Sequence, residues 1–288
     1  MNKIRFEIDP NVNYLYHMLS VARCGYDNEY GAKYRPLYPA EELVVFSDNS
    51  ELLTIQGGVH WGKLYSLLIF NPAGYADSLP DYYGEVLDTC DRIRAGEIPE
   101  YIDASLVPYT ELIGQLSQIL LKHQDRYLRD IFPAEKERIA AAIAPVEAWF
   151  EAHDFTARAE ALVGCRLAAQ AFTATMVSSV AHGPEAIDLT AEKDLFGIEH
   201  STMDAVYFIG HEFIIYLLKT ALRAEDAFRG FATWPLTEAL AEYYLKRLMG
   251  DTRFFDGQRQ WRMFYEQQSP DLTAVQLYRL ALQELNRS

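Results

Sequence analysis

Residues 207–218 read YFIGHEFIIYLL and belong to the longest apolar stretch of the chain. On a helical projection, apolar residues occur on every side of this segment, which predicts a helix that is buried nearly all round. The pair His211-Glu212 falls in its middle, and a buried carboxylate without a partner costs several kcal/mol. The sequence therefore predicts that a metal, another side chain or water meets these two residues.

A second helix is predicted over residues 237–249, and it is either capped by Thr237 or started by Pro235. Glu238 and Glu242 are four positions apart on it, so their side chains leave the same helical face. If the two helices are antiparallel neighbours, Glu238 reaches His211 and Glu242 lies behind it. The spacing therefore predicts a polar site between the two helices.

The pair His211-Glu212, followed by the string EALAEY at 238–243, resembles the zinc metallopeptidases of the gluzincin type. These proteins carry HExxH on one helix and a glutamate ligand on the next. The segment 172–189 is also similar to the edge strands that precede the HExxH helix in that family. The resemblance covers roughly residues 172–249.

The resemblance implies a role for each polar residue of the two helices. His211 and Glu238 would be zinc ligands, and Glu212 would be the general base that activates a metal-bound water. Glu242 would orient the ligand His211 from behind the metal site. Zinc is the cofactor that the resemblance implies, if any is bound.

The sequence departs from the family pattern at Ile215, where the second histidine of HExxH would stand. An isoleucine has no lone pair to donate, which leaves His211 and Glu238, whereas a catalytic zinc takes three protein ligands. We therefore expect a metallopeptidase-related protein that is catalytically degenerate. Its cleft would bind a peptide or protein ligand by strand addition.

Two alternatives stay open at this point. The protein could be an active zinc metallopeptidase in which a substitute third ligand replaces the missing histidine; the candidates are His182, His200 and Glu242. It could also be a helical structural or interaction protein, in which His211 and Glu212 form a buried polar network.

The composition excludes several other classes of protein. Half of the 288 residues are apolar and 23% are charged, which is typical of a globular chain. The net charge of −15 disfavours nucleic acids and anionic membrane surfaces as partners. The first residues have no signal-peptide pattern, and the apolar stretch is interrupted by charges within the ~20 residues that a membrane span needs. We expect a cytoplasmic protein with neither a nucleic-acid nor a membrane partner.

The fold class predicted from these patterns is α+β, predominantly helical, with a metallopeptidase-like core, a small sheet and two site-bearing helices. This core would comprise residues 161–288, and a mainly helical region over residues 1–160 would pack with it. Strand patterns occur near the N-terminus and over 172–198. Residues 26–39 predict an irregular loop.

Capping and proline signals predict several helix boundaries. Asp9-Pro10 predicts the start of a helix, and Ser201 predicts the start of the long apolar helix. Asn71-Pro72 predicts the end of a helix, and Pro145 predicts an interruption of another.

Overall fold

The computed structural model describes residues 2–56, 60–180, 187–190, 192–198, 201–225, 227, 233–250 and 258–287. This part of the chain is mostly helical and contains a small four-stranded mixed sheet, so the predicted α+β, predominantly helical class is confirmed. The strands are β1 Ile4–Glu7, β2 Ile55–Gln56, β3 His60–Trp61, β4 Phe172–Val177, β5 Ile187–Thr190 and β6 Lys193–Gly197.

The N-terminal half of the described chain contains nine α-helices. They are α1 Pro10–Val21, α2 Glu29–Tyr34, α3 Ala40–Ser47, α4 Ser50–Leu53, α5 Asn71–Tyr75, α6 Leu79–Arg94, α7 Thr110–Arg126, α8 Phe132–His153 and α9 Phe155–Val163. Two π-helical segments, Ser66–Phe70 and Tyr127–Ile131, lead into α5 and α8. The C-terminal helices are α10 Thr202–Ala224, α11 Trp234–Met249, α12 Arg259–Glu266 and α13 Ala274–Leu285.

The main sheet has the strand order β1-β4-β6-β5. β1 runs parallel to β4 and β4 parallel to β6, whereas β5 pairs with β6 in the antiparallel sense. β1 and β4 are neighbours although nine helices of the described chain lie between them in sequence. The first strand of the chain therefore belongs to the same sheet as the segment that precedes α10. The division of the chain at residue 160 stays a prediction.

The two faces of the sheet contact two separate hydrophobic clusters. Phe172, Met176 and Phe196 belong to the cluster that contains α10 and α11. Val177 and Leu195 belong to the cluster that contains α1, α6 and α7. Since successive strand residues point to opposite faces, the sheet lies between two helical layers. The layer that carries the predicted site includes α8 and α9, and the other layer is built by α1 to α7.

The predicted start of α1 is confirmed. The Asp9 carboxylate accepts hydrogen bonds from the backbone N–H groups of Asn11 and Val12, at 2.8 and 3.0 Å. Pro10 occupies the first turn, where its missing N–H has no partner to lose. The turn from β1 into α1 is therefore determined by residues that are adjacent in sequence.

The prediction of an irregular loop over residues 26–39 is wrong, because the segment forms α2 and a 3₁₀ turn. The Asn28 side chain accepts a hydrogen bond from Gly31 N at 2.8 Å and caps α2. Tyr30 and Tyr34 are buried on this short helix. The burial of aromatic rings stabilises this short helix, which the glycine within it and the prolines that follow it do not indicate.

The two helix boundaries predicted from prolines, at Asn71-Pro72 and at Pro145, are wrong as well. Pro72 lies in the first turn of α5, so the chain continues helically past Asn71 instead of ending there. Pro145 lies inside α8, which continues to His153 and ends where Asp154 adopts a left-handed φ of 47°. Apolar residues that α8 buries on both sides of Pro145 keep the helix on the core, and this packing offsets the lost backbone hydrogen bond.

The long apolar helix is present as α10, and its burial is confirmed. Ser201 caps it by accepting a hydrogen bond from Asp204 N at 3.2 Å, as its sequence predicts. Among the described residues, α10 alone has the length and apolarity of a membrane span, and 78% of its most apolar window is buried inside the protein. α11 begins at Trp234 with Pro235 in its first turn, so the start at Pro235 is found and the start at Thr237 is not.

Candidate functional site

The predicted meeting of His211 with Glu238 is confirmed by the packing of α10 against α11. His211 Nε2 lies 2.9 Å from Glu238 Oε2. The His211 side chain is 2% exposed, whereas that of Glu238 is 24% exposed. The imidazole is therefore inside the protein, and the carboxylate that it contacts reaches towards the surface.

Glu242 lies one turn after Glu238 on α11 and is 1% exposed. Burial raises the pKa of its carboxyl to about 7, even though the nearby His211 and Arg262 act to lower it. Glu238 adds a further raising effect, because a second carboxylate disfavours the charged form. Glu242 therefore holds its proton far more tightly than an exposed glutamate does.

Arg262 on α12 is the residue of the site that sequence reasoning missed. Its Nη1 donates a hydrogen bond to Glu242 Oε2 at 3.3 Å, and its side chain is 15% exposed. Glu266, one turn further along α12, pairs with Lys246 of α11 at 2.7 Å. The amphipathic pattern of α12 could have indicated a helix, but no spacing rule connects Arg262 with Glu242.

Glu212, the predicted general base, follows His211 on α10 and is partly buried. Consecutive helical residues point about 100° apart, so Glu212 and His211 leave different sides of α10. Glu212 makes interactions of its own within the structure. Its role as a general base stays a prediction.

Ile215 is fully buried in the hydrophobic cluster one turn after His211. Its position on α10 is the one from which a second histidine would reach the same site. The described donors are thus His211 Nε2 and Glu238 Oε2, while Glu242 is held by Arg262. This donor set does not fit a catalytic zinc, which takes three protein ligands.

The rest of the described chain also lacks a set of side chains that fits a catalytic metal ion. Within the described ranges, no group of three or more His, Cys, Asp or Glu side chains could hold a metal ion. The two histidines predicted as substitute ligands, His182 and His200, lie outside the described residues. Glu242, the third predicted substitute, forms the ion pair with Arg262 instead.

Gly210 allows α10 to approach α9 closely just before the site. A Cβ atom at this position would lie 2.8 Å from Phe155 Cζ and 3.4 Å from Leu245 Cδ1. Any larger residue would therefore push α10 away from α9 or displace the Phe155 ring. The close approach fixes the backbone from which His211 projects, and a glycine inside a helical pattern was the available signal.

Another side of α10 is attached to the sheet by a buried polar contact. Tyr216 OH donates a hydrogen bond to Asp194 Oδ1 at 2.9 Å, and Asp194 on β6 is fully buried. Lys219 Nζ lies 4.6 Å from the centroid of the Tyr216 ring and 4.9 Å from that of Trp234. These contacts join β6, α10 and the start of α11, so the site sits on rigid elements.

A second buried histidine shows how this chain accommodates an imidazole without charge. His17 Nδ1 and Nε2 lie 2.7 and 2.8 Å from the hydroxyls of Tyr30 and Tyr38. Burial lowers the pKa of His17 to about 3, so its ring is neutral at physiological pH. His211 instead contacts the carboxylate of Glu238, so its surroundings differ from the tyrosine hydroxyls around His17.

Comparisons with protein-family models, with curated proteins and with solved structures each found no match for this chain. The resemblance to the gluzincin-type metallopeptidases therefore stays a prediction that depends on the residues of α10 and α11.

Proposed function

We propose that this chain is a metallopeptidase-related protein whose zinc site is degenerate and whose cleft binds a peptide or protein ligand. The observation that carries the proposal is the complete burial of Ile215 one turn after His211. The site keeps the histidine and glutamate expected of the family and lacks a third donor at the required position.

The charges of the site support a role without zinc. Glu238 and Glu242 lie one turn apart on α11, close enough that Glu238 raises the pKa of Glu242, and a divalent cation would offset their repulsion in a zinc enzyme. Here the guanidinium of Arg262 contacts Glu242, and the imidazole of His211 contacts Glu238. Protein groups thus supply the compensation that a metal would otherwise supply.

The ligand proposal rests on the edge strand β5. β5 is at one end of the described sheet, and edge strands can pair with an added peptide through their backbone groups. α5 approaches β5 so closely that a Cβ atom at Gly74 would lie 2.4 Å from Leu189 O. An added peptide would therefore pair with only part of β5, and side-chain contacts would supply much of its binding.

The test restores the missing ligand. Ile215→His recreates the spacing of two histidines on one face of α10, and Ile215→Cys offers a smaller donor that tolerates burial. Untagged protein is purified without chelators, and its metal content is measured by elemental analysis. We expect substoichiometric zinc and no chelator-sensitive peptide hydrolysis in the wild type, and about one zinc per chain in a folded Ile215 variant.

The double variant Ile215→His with His211→Ala is the matched control, since it has the new histidine without the old one and should lose the zinc. Stoichiometric zinc in the wild type, lost together with hydrolysis in His211→Ala, would overturn the proposal in favour of an active peptidase. Folded Ile215→His and Ile215→Cys proteins that bind no zinc would show that the two helices are not a metallopeptidase site.

A second candidate is a structural or interaction protein, and the buried hydrogen bond between His211 and Glu238 favours it. In that case the network serves only to hold α10 and α11 together. His211→Ala would then lower the melting temperature without changing the binding of any ligand.

A further inference from the structure

A cavity in the N-terminal half lies far in sequence from the site on α10 and α11. It has a volume of about 710 Å³ and opens between α6, the π-helical segment Ser66–Phe70 and the 3₁₀ turn Ala104–Tyr109. Pockets for small molecules typically have volumes of about 300–1,000 Å³, so the cavity is large enough for a compact organic ligand.

The walls of the cavity are mainly apolar. Val86, Cys90 and Ile113 form buried parts of the wall, with exposures of 8%, 3% and 5%. Leu106 from the 3₁₀ turn and Tyr82 from α6 line other parts. Such a surface favours a ligand with an apolar body, because burial of that body removes it from water.

Negatively charged groups outnumber positively charged groups in the lining of the cavity. Glu85, Asp88 and Asp103 contribute three carboxylates, against one cation from Arg92. Arg92 is already paired with Glu97 in a salt bridge. The cavity therefore has an excess of negative charge at its rim.

Two of the rim residues, Asp103 and Tyr101, have properties that favour a cation. Hydrogen bonding from Ser105, whose backbone N lies 2.8 Å from Asp103 Oδ1, lowers the pKa of Asp103, which is therefore ionised at neutral pH. Lys63 contributes to this lowering, but its Nζ lies over the Tyr109 ring, 5.5 Å from the centroid. Tyr101 also lines the cavity and is 71% exposed, so its ring can contact a cation at the rim.

We propose that this cavity binds a small organic cation, a primary amine or quaternary ammonium attached to an apolar body. The apolar body fits the wall formed by Val86, Leu106 and Ile113, and the cationic group fits the rim formed by Glu85 and Asp88. The inference is independent of the function proposed for the site on α10 and α11.

The test compares three probes that share one apolar body: 4-phenylbutylamine, 4-phenylbutanol and 4-phenylbutyrate. Binding to the full chain is measured by isothermal titration calorimetry at low ionic strength. We expect the amine to bind about tenfold more tightly than the alcohol, and the carboxylate more weakly than either.

Variants locate the binding. Glu85→Gln combined with Asp88→Asn changes exposed side chains only and should weaken the amine about fivefold to tenfold while leaving the alcohol unchanged. Glu137→Gln combined with Glu147→Gln, at two exposed positions of α8 outside the cavity, removes the same number of charges and is the control; it should leave the affinity for the amine as in the wild type. Leu106→Trp adds a bulky ring to the apolar wall of the cavity and should weaken the binding of all three probes.

Several outcomes would overturn the proposal. They are equal affinities for the three probes, no binding of the amine, and an unchanged amine affinity in the rim variant. Equal loss of amine binding in the rim variant and in the α8 double variant would assign the effect to the net charge of the protein and would also overturn it.

Discussion

Replacement of Glu242 by glutamine should make the protein more stable at neutral pH. The buried carboxyl has a pKa of about 7 in the folded protein, against an ordinary value of 4.5. A raised folded-state pKa means that the folded protein binds this proton more tightly than the unfolded chain. The stability contributed by the protonated form is present below pH 4.5 and is lost as the pH rises through 7.

The magnitude follows from the difference between these two pKa values. One pKa unit corresponds to about 1.4 kcal/mol, so ionisation of Glu242 lowers the free energy of unfolding by about 3 kcal/mol once the pH exceeds 7. Glu242→Gln keeps the shape of the side chain and a hydrogen-bond acceptor for Arg262 but cannot ionise. The variant should therefore match the wild type near pH 4.5 and exceed it by up to about 3 kcal/mol at pH 8.

Urea unfolding followed by circular dichroism, at steps between pH 4.5 and pH 8, measures both curves. Glu135→Gln is the matched control, because Glu135 is also buried but its pKa is lowered. Burial acts to raise the pKa of Glu135, and the hydrogen bond from Tyr34 together with the charges of Arg138 and Lys33 acts to lower it. Loss of this carboxylate should destabilise the protein above pH 4.5, with the difference shrinking as the pH falls.

The two glutamine variants are therefore expected to deviate from the wild type in opposite directions at pH 8. Parallel curves for the wild type and Glu242→Gln across the whole range would refute the reasoning, because they would mean that Glu242 titrates like an exposed carboxyl.

Two further changes test the contacts that α10 makes with its neighbours. Gly210→Ala should lower the free energy of unfolding by about 1–3 kcal/mol, since its new methyl group meets the Phe155 ring. Phe155→Leu in the same chain should recover part of that loss, and additive effects of the two changes in urea unfolding would contradict the contact. Tyr216→Phe removes one hydrogen-bond donor from the buried Asp194 and should lower the free energy of unfolding by about 1–3 kcal/mol, whereas Tyr75→Phe, at an exposed position, should leave it unchanged.

Arg262 illustrates why the site was predicted only in part. Helical spacing places Glu238 and Glu242 on one face of α11, because positions on one face are determined by the period of the helix itself. The meeting of Glu238 with His211 also required that α11 pack beside α10. The approach of Arg262 to Glu242 depends on where α12 returns to α11, and that path depends on packing between whole elements. Ile215 was identifiable from its position in the motif, and its burial agrees with the apolar pattern on every side of α10.

The same division applies to the fold. The sequence by itself determined the capped starts of α1 at Asp9 and of α10 at Ser201. It also determined that α10 is buried. Both results depend on residues only a few positions apart, because caps and apolar periodicity are local patterns. Only the tertiary structure decided that β1 lies beside β4, that Glu29–Tyr34 form a helix and that α8 continues through Pro145. These features depend on contacts between segments that are distant in the chain, and the burial gained there outweighs the local preference of the residues.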